Sequence, residues 1–247
     1  MKSIRSQPFD PAIVGLVQTA QAQAAVEALE LGERYRTGEG EPLDEQQALR
    51  WFGIGARLGN AAAQNNFGTM LLNGVGCPPD ELAALHWFRA AAEQGHAVAQ
   101  FNLGNRYLIG KVVEQDDRMA GDWFARSATQ GHLPALCELG TLFRLGRGTD
   151  QDILQAAQLH LAAASGGHEG ARCQLSAYLD ELELMAYWGN REAAFDLHRA
   201  HAEGLCAAKS PALGWAWLRW AAEKCGPMPA AEVRCCVFQR SWTPVSA

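Results

Sequence analysis

Apolar and small residues recur along the chain with a helical spacing nested inside a longer period. Ala99, Leu103 and Tyr107 fall at i, i+4 and i+8, one stripe of an amphipathic helix over about 97–108. After a polar turn, Ala120, Trp123, Phe124 and Ala128 mark a second helix. It begins near Asp116, a residue type suited to the N-cap, and stops at Gly131. Gly110 stands just past the first helix, where a left-handed cap favours glycine. On the second stripe Trp and Phe alternate with Ala, which lets neighbouring helices interdigitate.

The whole pattern repeats every 36 residues. Gly32, Gly68, Gly104 and Gly140 share that step, as do Gly38, Gly74, Gly110 and Gly146. So do Asp44, Asp80, Asp116 and Asp152, and the alanine sets 48, 84, 120, 156 and 56, 92, 128, 164. Trp51, Trp87 and Trp123 form a further column, with Leu159 in the fourth place. Many columns in one gapless register mark stacked supersecondary units, none of which can bury its apolar face alone. Gly104 lies inside a predicted helix, where glycine costs about 1 kcal/mol relative to alanine. Its recurrence predicts that a side chain there would block close packing of the paired helix.

The motif Ala99-x-x-x-Leu103-Gly104-x-x-Tyr107-x-x-Gly110, then Asp116, Ala120, Trp123-Phe124 and Ala128-x-x-Gly131-His132, resembles the SEL-type (suppressor-enhancer-of-lin-like) repeats, relatives of the tetratricopeptide repeat. The resemblance covers residues 25–168 as four full units of 36 residues. It implies an all-α fold, a right-handed α-solenoid of stacked helix-turn-helix repeats with about 12 helices. Residues 1–24 read as an N-terminal segment, partly helical. After His168 the register breaks, since Ser176 stands where the next glycine is due. Residues 169–190 read as an atypical helical insertion or half repeat. Residues 191–226 read as a degenerate final repeat with Ala193, Leu197, Gly204 and Trp217, and 227–247 as a C-terminal cap or tail.

Hydrophobic residues make up 48% of the chain, which excludes disorder. The net charge of −6 comes from mixed charges with no basic stripe, so no nucleic-acid partner is expected. No stretch approaches the roughly 20 apolar residues of a membrane-spanning helix. Lys2 and Arg5 precede an apolar run from Ala12 to Val17 that is too short for a signal peptide. A cytoplasmic location is expected, with secretion or the periplasm as the minor alternative. The seven cysteines (Cys77, Cys137, Cys173, Cys206, Cys225, Cys235 and Cys236) are odd in number and mostly single, and read as buried reduced thiols.

Candidate chemistry is sparse. Gly38-x-Gly40, Gly74-x-Gly76 and Gly146-x-Gly148 lack the Gly-Lys-Ser/Thr continuation of a phosphate loop and read as turns. His96, His132 and His168 read as helix-end residues that cap carbonyls. His198 and His201, followed by Cys206, Cys225, Cys235 and Cys236, match no zinc spacing, and the expected reading is solvent-facing histidines beside buried cysteines. No nucleophile elbow or His-Glu-x-x-His motif is present. The reading is therefore of a non-enzyme with no catalytic residue, metal or cofactor. Trp51, Trp87, Trp123 and Trp217 are expected in the core; Trp215 and Trp220 read as capping residues or an exposed contact patch.

By analogy with tetratricopeptide geometry, the first helices line a concave groove. Its columns hold Leu29, Asn65, Phe101 and Cys137, then Glu33, Thr69, Asn105 and Thr141, then Arg36, Leu72, Leu108 and Arg144. Phe101, Arg36 and Arg144 are the expected anchors, because aromatic residues and arginine are enriched at interfaces. No lysine aligns there, which disfavours clamping of a C-terminal carboxylate. The resemblance implies a protein–protein interaction module, an adaptor or regulator. The alternatives are an immunity protein that neutralises a bacterial toxin and a hydrolase of the cysteine-rich SEL-repeat type, whose paired cysteines this chain lacks.

Overall fold

The structure, a computed structural model, describes residues 11–206 and 210–225; of 11–14, 16, 224 and 225 it describes the helical backbone only. The described residues form twelve helices. The first members of successive pairs, here called A helices, are α1 (Pro11–Thr37), α3 (Ala61–Asn73), α5 (Ala97–Ile109), α7 (Leu133–Leu145), α9 (Glu169–Ser176) and α11 (Arg191–Ala202). The B helices are α2 (Glu45–Arg57), α4 (Glu81–Glu93), α6 (Asp117–Ala128), α8 (Ile153–Ser165), α10 (Leu179–Tyr187) and α12 (Pro211–Cys225). Residues 11–24 belong to α1; residues 1–10, the stretch 226–247 and the thiols of Cys225, Cys235 and Cys236 lie outside the described residues.

Each of the first four turns is closed by the same aspartate column. Asp44, Asp80, Asp116 and Asp152 sit at extended φ and accept from the backbone amides that open α2, α4, α6 and α8, at 2.9–3.0 Å. This satisfies donors that a helix start leaves orphaned. The same residues donate their own N–H back to the A helix, to the carbonyls of Tyr35, Leu71, Tyr107 and Phe143 at 2.8–3.0 Å. Side chain and backbone of one residue thus end the turn and tie it to the helix before it. Gly74 and Gly146 cap α3 and α7 in the left-handed region (φ 70° and 64°).

The A helices open differently from the reading of His96 and His168 as carbonyl caps. Both sit at an N-terminus, where Nδ1 accepts from Ala99 N at 3.2 Å and from Ala171 N at 3.1 Å. Asn60 and Asn190 do the same with Oδ1, to Ala63 N at 2.9 Å and Ala193 N at 3.0 Å. A neutral imidazole here serves as an acceptor, not as a cation at a helix C-terminus.

The chain divides into two compact units at the end of α5: residues up to Arg106 with Lys111–Val113 form the first, and Tyr107–Gly110 with the residues from Glu114 onward form the second. In the first unit α1 packs on α2, α2 on α3 and α3 on α4. Its core is built by Phe52 and Phe88 with the alanine columns, all essentially inaccessible. Each buried Phe side chain contributes roughly 1.5–3 kcal/mol. The column of in-helix glycines exists for these rings. A Cβ on Gly32 would lie 2.6 Å from the Phe52 ring, and one on Gly68 would lie 3.0 Å from Phe88. The tryptophan column is less central than expected, since Trp51 and Trp87 are half-buried, Trp87 lying edge-on to Phe67 at 5.6 Å.

In the second unit α6 packs on α7, α7 on α8, α8 on α9, α10 on α11 and α11 on α12. Phe124, Leu161, Leu175, Leu182 and Leu197 are fully buried, and Trp123 is buried as expected. Residues 169–190 hold two helices, α9 and α10, joined only by Ala177 and Tyr178. Gly189 follows Gly167 by 22 residues and repeats its left-handed conformation (φ 94° and 96°). This stretch is therefore a helix pair whose glycine-bearing turn and adjoining helix ends are missing. The shortening brings α11 into direct contact with α8. Among the described residues no helix is long and apolar enough to cross a membrane.

Candidate functional site

In the first unit, hydrogen bonds between side chains run across the A helices. Glu33 Oε2 accepts from Arg36 Nε at 2.8 Å, and Glu33 Oε1 accepts from Asn66 Nδ2 at 2.7 Å. Asn66 Oδ1 accepts from Asn65 Nδ2 at 3.2 Å, and Asn65 Oδ1 accepts from Asn102 Nδ2 at 2.9 Å. This amide ladder joins α1, α3 and α5 through Asn65, which is only 6% exposed. A buried amide with its bonds made is rigid, and one with a bond removed is costly. The Arg36–Glu33 end is solvent-exposed and contributes little by itself.

The expected groove residues of this unit fall into two groups. Leu29 is half-buried and packs on the Ala48–Phe52–Met70 cluster, while Thr69 spends its hydroxyl on Asn65 O at 2.9 Å. Leu72, Phe101 and Asn105 are partly exposed, and Arg36 is exposed. Asn66 and Asn102, the rungs of the ladder, escaped the sequence reading. Their signal was present, since they stand 36 residues apart in the column beside Asn65.

In the second unit, Leu108 is half-buried and Thr141 donates to Cys137 O at 3.0 Å. Arg144 donates to Gln174 Oε1 at 3.4 Å, and its guanidinium lies 5.7 Å from the Tyr178 ring centre. Arg144 thus holds the shortened pair in place. Beneath it, His160 occupies the position that Phe52, Phe88 and Phe124 fill in the earlier pairs, fully buried. Its Nε2 lies 3.0 Å from Cys137 O and 3.4 Å from Thr141 Oγ1, and its Nδ1 lies 2.6 Å from Tyr178 Oη. A carbonyl only accepts, so Nε2 carries the hydrogen and Nδ1 accepts from the phenol. Burial lowers the His160 pKa to about 4, the Cys137 O bond opposing it, and burial raises that of Tyr178.

Further along, His198 and His201 are buried, not solvent-facing. His198 packs against Trp215 at 5.2 Å, and His201 Nδ1 lies 3.6 Å from Cys206 Sγ, whose thiol also donates to Ala200 O. Asp196 is 5% exposed, and burial raises its carboxyl to about 7 against the pull of Arg199. Among the described residues no three of His, Cys, Asp and Glu converge as a metal site.

Helix pairs closed by aspartate-capped turns, with glycine seats for the partner helix's ring, define a tetratricopeptide-like α-solenoid of stacked repeats. The sequence matches the Sel1 repeat over residues 28–60, 61–96, 97–132 and 133–168, and the chain belongs to the Sel1 repeat family. It is similar to c5321, a protective antigen present in uropathogenic Escherichia coli strains displaying an SLR fold. That match has 31% identity and a TM-score of 0.60, and covers 81% of this chain and 46% of c5321. The chain thus spans less than half of that relative. A Sel1 repeat protein from Oxalobacter formigenes matches with 26% identity and a TM-score of 0.59, over 81% of this chain and 87% of that one. No curated protein sequence matches the chain.

Proposed function

We propose that the chain is a non-enzymatic interaction module, an adaptor or regulator, that takes a protein or peptide partner on the surface of its A helices. The amide ladder of Glu33, Asn66, Asn65 and Asn102 carries this reading. It holds α1, α3 and α5 in fixed register, so that Phe101, Asn105 and Leu72 sit partly exposed on a preorganised surface. Preorganisation lowers the ordering cost that a binding surface otherwise meets. Phe101 is the anchor of this reading, and Arg36 and Thr69 are further column residues of the first unit. Leu108, Thr141 and Arg144 are the column residues of the second unit.

The test is affinity capture from lysate of the source organism, comparing wild type with Phe101→Ala/Asn105→Ala by mass spectrometry. A protein held by wild type and lost at least about tenfold in the variant supports the reading. Its identity separates an adaptor from an immunity protein. A partner retained equally by the variant removes the A-helix surface as the site.

A further inference from the structure

The outward face of α10 combines exposed apolar, aromatic and acidic side chains. Asp180, Glu181, Leu184, Tyr187 and Trp188 follow at i, i+1, i+4, i+7 and i+8, and all are exposed. Leu184 is 59% exposed, Tyr187 65% and Trp188 78%. The rings continue onto α12. Tyr187 lies edge-on to Trp188 at 5.8 Å and stacks on Trp220 at 6.3 Å, and Trp220 meets Trp217 edge-on at 6.0 Å. Trp217 in turn packs on the buried cluster of the second unit, which fixes the row. An aromatic row of this kind, exposed at Tyr187 and Trp188 and half-buried at Trp217 and Trp220, marks an interaction surface.

Its chemistry selects the partner. Aromatic faces are electron-rich and attract ammonium and guanidinium groups. Elsewhere this chain supplies that cation itself, with Arg126 standing 4.6 Å from the Trp123 ring and Arg144 standing 5.7 Å from Tyr178. Among the described residues no arginine or lysine stands over Tyr187, Trp188 or Trp220. The α10 sequence, Leu-Asp-Glu-Leu-Glu-Leu-Met-Ala-Tyr, adds three carboxylates and no base. Arg219 on α12 and Arg191, three residues after Trp188, are nearby positive charges, and the exposed carboxylates Glu223 and Glu192 beside them offset them.

We propose that the outward face of α10, extended by Trp220 and Trp217, docks a cationic segment of a partner protein. An arginine or lysine head seats on Tyr187 and Trp188, and Asp180 and Glu181 meet further positive charge. This surface is independent of the A-helix reading above, because none of its residues belongs to the groove columns.

The experiment titrates the full chain with a short amidated peptide that alternates arginine with leucine, and with the same peptide carrying glutamate for arginine. Calorimetry at low salt is expected to show the arginine peptide binding at least about tenfold tighter. Trp188→Ala or Tyr187→Ala weakens it about tenfold with circular dichroism unchanged, because both side chains are exposed. Asp180→Asn/Glu181→Gln flattens the salt dependence. Phe101→Ala leaves the titration unchanged, which separates this surface from the groove. Equal affinity for the two peptides, or binding untouched by Trp188→Ala and Tyr187→Ala, overturns the proposal. So does a full-length Val233→Asp/Val237→Asp variant that binds more than about tenfold tighter than wild type, because the occupant is then the chain's own residues 226–247.

Discussion

The imidazole of His160 and the phenol of Tyr178 share a 2.6 Å hydrogen bond inside the second unit, with both side chains fully buried. The two residues belong to successive helix pairs. One replaces the phenylalanine of its column, and the other stands in the two-residue link that replaces a full turn. Each departure supplies what the other lacks, since a buried imidazole acceptor needs a donor and a buried phenol needs an acceptor. Tyr178→Phe is expected to cost about 1–3 kcal/mol in urea unfolding, because His160 Nδ1 is left unmet. His160→Phe strands the phenol at a similar cost. The double variant is expected to recover part of the sum, with a coupling of about 1–2 kcal/mol. Strict additivity of the two single variants would show that the bond carries no energy.

The same unit holds two buried groups with opposite pH behaviour. His160 falls from 6.5 to about 4 through burial, so its contribution is complete above pH 6.5 and is lost as pH drops towards 4. Asp196 rises from 3.8 to about 7 through burial, so its contribution is complete below pH 3.8 and is lost as pH climbs to 7. Each is worth on the order of 3–4 kcal/mol across its window. The wild-type profile is therefore expected to be shallow between pH 4 and 6.5. Asp196→Asn is expected to expose a stability that rises with pH and to gain most above neutrality. His160→Phe is expected to expose the opposite slope. Parallel profiles for the three proteins in thermal melts would contradict both assignments.

Two helix-interior glycines should respond oppositely to alanine. A Cβ on Gly32 would meet the Phe52 ring at 2.6 Å, inside any tolerable contact, so Gly32→Ala is expected to cost about 1–3 kcal/mol. A Cβ on Gly121 of α6 meets only Leu142 Cδ1, at an ordinary 3.5 Å. Gly121→Ala is therefore expected to stabilise by about 0.5–1 kcal/mol through the lower entropy of the unfolded chain. Chemical denaturation of the two variants reads the contrast directly, and a loss of stability in Gly121→Ala would refute it.

The ladder makes a prediction that distinguishes a buried amide from a surface pair. Asn102→Ala leaves Asn65 Oδ1 without its donor and is expected to cost about 1–2 kcal/mol. Arg36→Ala removes only an exposed partner of Glu33 and is expected to cost less than about 0.5 kcal/mol. Equal losses in the two variants would mean that the ladder is not held by its buried rung.

Much of the fold was legible because its rules are periodic. The aspartate caps, the left-handed glycines and the glycine seats recur in fixed columns, and a recurring residue under a fixed geometry announces its own role. What the sequence hid lies where the period fails. Residues 169–190 read as an insertion or half repeat because a deletion of the turn and the adjoining helix ends destroys the register and leaves two shortened helices. The partnership of His160 with Tyr178 follows from that deletion and has no column of its own. His96 and His168 were placed at the wrong kind of helix end, because imidazole serves as a cation in one role and as an acceptor in the other. Of the candidate site, Phe101, Asn105 and Leu72 are partly exposed. Leu29 and Arg144 are engaged in packing, which the columns alone do not reveal.

The contact of α8 with α11 across the shortened pair has a bearing on how the chain finds its fold. Four units with nearly interchangeable faces offer many misaligned pairings, in which a helix docks one unit away from its proper neighbour and still buries a good face. The pair α9–α10 is shorter than the pairs before it, and the helices on either side of it, α8 and α11, also meet. Seated between α8 and α11, it marks one fixed place in the second unit, against which a slipped α8 or α11 would be out of step.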